Sequence, residues 1–228
     1  MEGVIDVNGL MELYEKKEVE QLFNEKKLID LLMNAHRVIP KEKKVNKNQV
    51  LMEEGEKNEL VFYIKQGIVG FKKYDTFLNF SKEAHFVGLE TFLFNDIQPY
   101  TVMALEKLEV LVFKKVEILD LLMAMQEGWL YLYLLNKEEK NKIQKSCSYL
   151  HLKGNQRSKK MLMELAKDFG ISDGDAVALP KCFGKKCVTN YLGLSFNTGK
   201  SLFEKFRREG FLLPADQESF FRINKENF

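Results

Sequence analysis

Between Tyr191 and Leu213 the chain reads YLGLSFNTGKSLFEKFRREGFLL. Asn197 and Lys200 offer an amide and an ammonium, groups that fit the hydrogen-bonding edges of purines. Ser201 adds a hydroxyl one helical turn from Asn197. Between Lys181 and Arg208 there are seven Lys/Arg and one acidic residue, Glu204. Cations clustered beside short polar side chains can neutralise phosphates while base edges are contacted. The bland alternative for the same residues is a helical hairpin with a solvated basic face.

These side chains need two short helices to present them. Lys185 to Leu192 can form about two turns, with Val188, Tyr191 and Leu192 inward. Gly193 tolerates the left-handed backbone of a tight turn. Ser195 is a good N-cap, because its hydroxyl can accept a free amide two or three residues on. A second helix is expected from about Phe196 to Glu209. Its spacing sets Leu202, Phe203 and Phe206 on one face, with Gly199 allowing the first helix close. Asn197, Lys200, Ser201, Glu204, Lys205 and Arg208 lie opposite. Gly210 ends it, and FLL and FFRI can pair as a small hairpin. Two short helices, a glycine turn and a hairpin make a winged helix-turn-helix, whose second helix enters the major groove. Phe196 is the odd member, since an exposed Phe there would meet a thymine methyl or a protein.

Bulk properties bound the rest. The chain has 228 residues, 45% hydrophobic and 30% charged, a globular mix with a net charge of +2. Residues 1–150 carry 21 Lys/Arg against 24 Asp/Glu, whereas residues 151–228 carry 14 against 9. A basic C-terminal third on a slightly acidic body suggests an anionic partner for that third. Cys147, Cys182 and Cys187 give no disulfide framework and read as free thiols in a reducing cytoplasm. The N-terminal stretch MEGVIDVNGLMELYEKKEVE is charged throughout and unlike a signal peptide. The longest apolar run, Trp129 to Leu135, is far short of the roughly 20 residues a spanning helix needs.

Along the chain, residues 9–36 look helical, with Leu28, Leu31, Leu32 and Ala35 on one face. From Val45 to Phe113 the runs LVFYI, IVGF and VLVF alternate with the turn signals EEGEKN, QG and FNDIQP, the texture of an antiparallel roll. Helix is expected again from Lys114 to about Leu150. Apolar periodicity lapses at HLKGNQ (151–156), the expected domain boundary. Arg157 to Phe169 is a further amphipathic helix that stops at Gly170, a C′ glycine.

Positions 129, 133, 136, 140, 143, 147 and 150 alternate steps of four and three. They hold Trp, Tyr, Asn, Lys, Ile, Cys and Leu. This heptad stripe reads as a dimer seam through Trp129, Tyr133, Asn136, Ile143 and Leu150, with Asn136 able to set register. The alternative is a helix packed on its own sheet. Cys147 is expected to be a small buried side chain, with a redox-sensitive thiol as its second reading.

A β-rich segment, a long helix, a boundary and this C-terminal unit together resemble the cyclic-AMP receptor/fumarate-nitrate regulator (CRP/FNR) superfamily, over roughly Val38 to Ile223. EEGEKNELVFYIKQGIVGF (53–71) looks like the family's β-roll opening. HFVGLETFL (85–93) looks like the approach to its ligand cassette. GLSFNTGKSLFEKFRREGFLL (193–213) matches its turn and recognition helix without a gap, with the motif's glycine, serine and threonine on Gly193, Ser195 and Thr198. The resemblance implies a cytoplasmic homodimeric transcription regulator that binds a near-palindromic duplex, with RNA polymerase a further partner if it activates. It implies an α+β fold: an N-terminal antiparallel β-roll (1–113), connecting and dimerisation helices (114–150) and a winged helix-turn-helix (151–228). The expected DNA-binding residues are Lys185, Lys186, Ser195, Phe196, Asn197, Thr198, Lys200, Ser201 and Lys205.

The chain departs from the family where cyclic nucleotides bind. The ribose-binding Gly-Glu pair reads Gly88-Leu89, with Glu90 displaced by one. The phosphate-binding region NDIQPYTV (95–102) has no arginine. Between Glu83 and Lys107 the one basic residue is His85, so a buried phosphate would lack a charge-assisted partner. An iron–sulfur cluster is argued against because no cysteine precedes Cys147. Heme is argued against because His36, His85 and His151 are scattered. Zinc is argued against because Cys182 and Cys187 lack the tight pair and further ligands of such a site. What remains is similar to the PrfA-like branch, whose implied ligand is glutathione or a peptide between roll and DNA-binding domain; the alternative is a protein with no ligand at all, active by abundance. Two other classes compete. A cupin-like enzyme would need clustered His and carboxylate ligands, and no nucleophile–base pair is found. A sensor that binds protein instead of DNA is the second.

Overall fold

The computed structural model describes residues 14–35, 38–91, 97–217 and 219–228. Residues 1–13, His36 and residues 92–96 of the expected helix, histidine set and ligand segment lie outside the described residues. Within the expected helical stretch 9–36, the described residues form two helices, α1 (Lys16–Leu22) and α2 (Glu25–Asn34). The break has a local cause: the Asn24 side chain caps α2 by accepting the Lys27 N–H at 3.0 Å. Leu28, Ile29 and Leu32 are the buried residues of α2.

The roll consists of two four-stranded antiparallel sheets. One is built from β1 (Lys41–Val45), β8 (Leu108–Lys114), β3 (Leu60–Gln66) and β6 (His85–Val87), in that order. The other has β2 (Val50–Met52), β7 (Thr101–Ala104), β4 (Val69–Lys73) and β5 (Thr76–Ser81). Strand alternation sorts the side chains of β3 and β8 to two cores. Phe62, Ile64, Leu108 and Val110 face the second sheet, where they meet Val69, Phe71 and Val102. Val61, Leu111 and Phe113 face outward, where α2, α3 (Lys115–Met123) and α4 (Trp129–Ser148) cover them through Leu28, Leu32, Ile118, Leu122 and Tyr131. The helical stretch expected from Lys114 to Leu150 consists of these two helices, α3 and α4, followed by a 3-10 turn at Tyr149–His151.

The C-terminal unit comprises α5 (Gly154–Phe169), α6 (Lys185–Tyr191), α7 (Phe196–Arg208) and a four-stranded sheet. That sheet is ordered β11 (Leu212–Leu213), β12 (Arg222–Asn224), β10 (Ala176–Ala178), β9 (Ile171–Asp173). Helix α5 begins at Gly154, three residues before the expected start, so the expected boundary at 151–156 narrows to the extended Leu152 and Lys153. Gly170 ends α5 but is not a left-handed C′ residue; its φ is −73° and ψ 148°. Glycine is needed there for space, since a Cβ would lie 2.3 Å from both the Ala166 carbonyl and Val177 Cγ1. Among the described residues no helix is long and apolar enough to cross a membrane.

Candidate nucleic-acid interface

The turn between α6 and α7 is built as its residues dictate. Gly193 has φ +67°, and Ser195 Oγ accepts the Thr198 N–H at 3.2 Å. The Ser195 and Thr198 hydroxyls also lie 2.8 Å apart, so these two side chains complete the cap. Gly199 lets α6 approach: a Cβ there would sit 2.5 Å from the Thr189 side chain. Val188, Leu192, Phe203 and Phe206 are buried, and Phe203 stacks edge-on against Phe221 of the wing at 4.9 Å. Gly210, φ +72°, closes the unit.

This packing leaves one face of α7 outward. Phe196, Asn197, Lys200 and Ser201 are all exposed on it, and Lys185 and Lys186 are exposed at the start of α6. Lys185 leans over the Phe220 ring at 6.0 Å. Lys205, the last of the expected set, is partly exposed and lies 3.8 Å from Glu209. Glu209 is itself paired with Lys159 at 2.7 Å. The outward face is therefore a first turn with polar and aromatic side chains, backed by cations at the helix end, where Arg208 is exposed.

The unit is anchored to the roll by contacts that local sequence patterns do not display. The Asn190 amide accepts the Phe77 N–H at 2.7 Å and donates to the Asp75 carbonyl at 2.9 Å, gripping the β4–β5 hairpin. Lys82 Nζ donates to the Asp168 carbonyl at 2.7 Å. Phe80 of β5 packs against Phe169, Phe183 and Tyr191, so the roll and the C-terminal unit share one aromatic core. Next to this junction is a cleft of about 530 Å³ lined by Lys82, His85, Lys142, Lys145, Asp168 and Tyr191 among others. Its charges are mixed. Glu164 on its wall is buried; burial favours its neutral form, but Lys145 outweighs this and holds its carboxyl below the usual range.

Inside the roll, Leu89 is buried and Glu90 is occupied internally. The Glu90 carboxylate accepts the Gly88 N–H at 2.8 Å and the Tyr100 O–H at 2.6 Å. Burial and the Glu90 charge hold the Tyr100 phenol well above its ordinary range. The cavity beside them, also lined by Leu135 and Glu139 of α4, has a volume of about 20 Å³. Behind it, His85 Nδ1 lies 2.7 Å from Glu25 of α2, and Nε2 lies 3.9 Å from Glu139 of α4. Burial would lower the His85 pKa, but Glu25 reverses this and raises it.

The heptad stripe on α4 faces away from the roll. Trp129, Tyr133, Ile143 and Leu150 are each more than half exposed, and Trp129 and Tyr133 pair edge-on at 6.1 Å. Asn136 on the same stripe is exposed and donates to the Leu132 carbonyl at 2.9 Å. Cys147 is exposed too, contrary to the expected buried thiol, because it shares this outward stripe. Cys182 and Cys187 are instead half-buried, and burial pushes both thiols up to about 12.

Residues 42–125 match the family model of the cyclic nucleotide-binding domain. No curated protein sequence matches the chain. Among solved structures, the chain is similar to a cyclic nucleotide-binding domain containing protein from Listeria monocytogenes EGD-e. That likeness has a TM-score of 0.71 at 16% identity and covers 89% of this chain and 98% of that one. It is also similar to FixK2 from Bradyrhizobium japonicum, with a TM-score of 0.67 at 16% identity over 82% and 93% of the two chains. A CRP/FNR-family transcriptional regulator from Thermus thermophilus gives 0.65 at 14% identity over 82% and 95%. A roll that matches the cyclic nucleotide-binding domain, a long helix and a C-terminal winged unit therefore give this chain the α+β fold of the CRP/FNR regulators.

Proposed function

We propose that the chain is a sequence-specific DNA-binding transcription regulator, acting as a homodimer on a near-palindromic site, and not an enzyme. The observation that carries this is the outward face of α7. Ser195 caps it, Gly199 seats it on α6, and Asn197, Lys200 and Ser201 project from its first turns. Those side chains fit base edges, and the surrounding Lys and Arg fit phosphates. The exposed stripe through Trp129, Tyr133, Ile143 and Leu150 supports a parallel two-fold seam.

The effector role goes to a small molecule other than a cyclic nucleotide, as in the PrfA-like branch. Glu90 is held by Tyr100 and Gly88, and the adjoining cavity of about 20 Å³ holds no more than a water. The cleft of about 530 Å³ beside the junction of the roll, α4 and α5 has the size and mixed charge for glutathione or a short peptide. Selection from random duplexes, with and without cell metabolites, tests the proposal. Enrichment of one inverted repeat supports it. Retention without sequence preference at any salt concentration overturns it.

A further inference from the structure

We propose that Phe196 reads the C5 methyl of a thymine in each half-site of the bound duplex. The inference rests on the DNA-binding role of α7. It starts from an apolar side chain that the fold does not use. Phe183, Phe203, Phe206, Phe211 and Phe221 are all buried in the C-terminal core, whereas Phe196 is 55% exposed. It is the first residue of α7, beside the capping Ser195, in the turn that enters the groove in this motif. Its exposed neighbours Asn197, Lys200 and Ser201 carry hydrogen-bonding groups. The ring itself has no polar atom, so it can distinguish bases only through apolar contact. In the major groove the thymine methyl is the apolar group that a base presents.

The surrounding charge favours this occupant over an apolar protein surface. Lys185, Lys186 and Lys200 are exposed around the same turn, and a duplex satisfies them along its phosphates. A protein partner docking on the ring would have to supply its own anions at matching positions.

The contact has a chemical signature. Deoxyuridine differs from thymidine by the methyl alone, and 5-methylcytosine restores that methyl on a different base pair. With the full-length protein and the duplex taken from the selection above, thymine-to-uracil replacement at one symmetric pair of positions should weaken binding by about fourfold per methyl, the factor for burying one such group. Phe196→Ala should weaken binding to the parent duplex and abolish the uracil effect. Phe196→Leu, which keeps an apolar side chain, should retain part of it. At the same pair, 5-methylcytosine should bind better than cytosine to the parent protein but not to Phe196→Ala. Because Phe196 is exposed, unchanged thermal unfolding of both variants checks that only the contact was altered.

An equal uracil effect in parent and Phe196→Ala, or unchanged affinity of Phe196→Ala, overturns the proposal while leaving DNA binding intact. Phe196→Ala that binds the duplex normally but loses a protein partner overturns it in favour of a protein contact. If no duplex is selected at all, the DNA-binding role itself fails, and this inference with it.

Discussion

The Asn190 amide accepts the N–H of Phe77 across 113 residues of chain, at 2.7 Å. The bond joins the first helix of the helix-turn-helix to the roll's β4–β5 hairpin, and the same amide donates to the Asp75 carbonyl. The roll thereby holds the helix that seats α7. Asn190→Ala strips a partly buried amide of its partner, at a cost of about 1–3 kcal/mol. The unfolding midpoint should fall by about 2–4 °C for each kcal/mol lost. An unchanged midpoint in a calorimetric scan would show that the hairpin contact contributes nothing.

His85 predicts a pH dependence. It faces Glu25 of α2 and Glu139 and Lys142 of α4, and its folded-state pKa is raised. Its stabilising contribution is thus complete below the unfolded value of about 6.5. It is lost as pH rises through the higher folded-state value. Melting temperature should decline over that window, and His85→Gln should flatten the decline. A parent protein whose stability rises across the same window would contradict the assigned pairing.

Cyclic AMP at millimolar concentration should leave melting temperature and DNA affinity unchanged. In the proposed reading a cyclic nucleotide finds no site, because Leu89 is buried and the Glu90 carboxylate is held by Tyr100. A stabilisation of the size that mass action gives far above a dissociation constant would overturn that assignment.

Features set by near neighbours could be read directly from the sequence. Ser195, Gly193 and Gly210 act within a few residues, and each plays its expected part. β3 and β8 are legible as the continuous apolar runs LVFYI and VLVF because both faces of those strands are buried. β1 is not, because KEKKV is an edge strand whose side chains are exposed apart from Val45. It is held by register with β8 and by the exposed Lys44–Glu109 pair. β9 and β10 were missed because three residues each give too short a pattern. Asn190, Tyr100 and the His85–Glu25 pair were missed for another reason. Their partners are distant in the chain except for Glu90, ten residues from Tyr100, and no spacing rule links them.

Cys147 offers a native reporter for the proposed seam. It is exposed on the same stripe as Ile143 and Leu150. A parallel two-fold axis along α4 brings the two copies of Cys147 opposite each other. Mild oxidation by diamide, which takes up the two protons and two electrons released, should form a disulfide-linked dimer that Cys147→Ser abolishes. Ile143→Asp, which places a charge in the seam, should prevent it. Persistence of the cross-link in Ile143→Asp would place the interface elsewhere.

In the proposed dimer, two copies of α7 related by the α4 seam bind one duplex together. Footprinting of the selected duplex, with light scattering on the same sample, tests it most directly. Recognition helices in this motif sit about 34 Å apart, one turn of duplex. The protein should therefore be a dimer that protects an inverted repeat with half-site centres roughly 10 base pairs apart. A monomer that protects a single asymmetric half-site would contradict it.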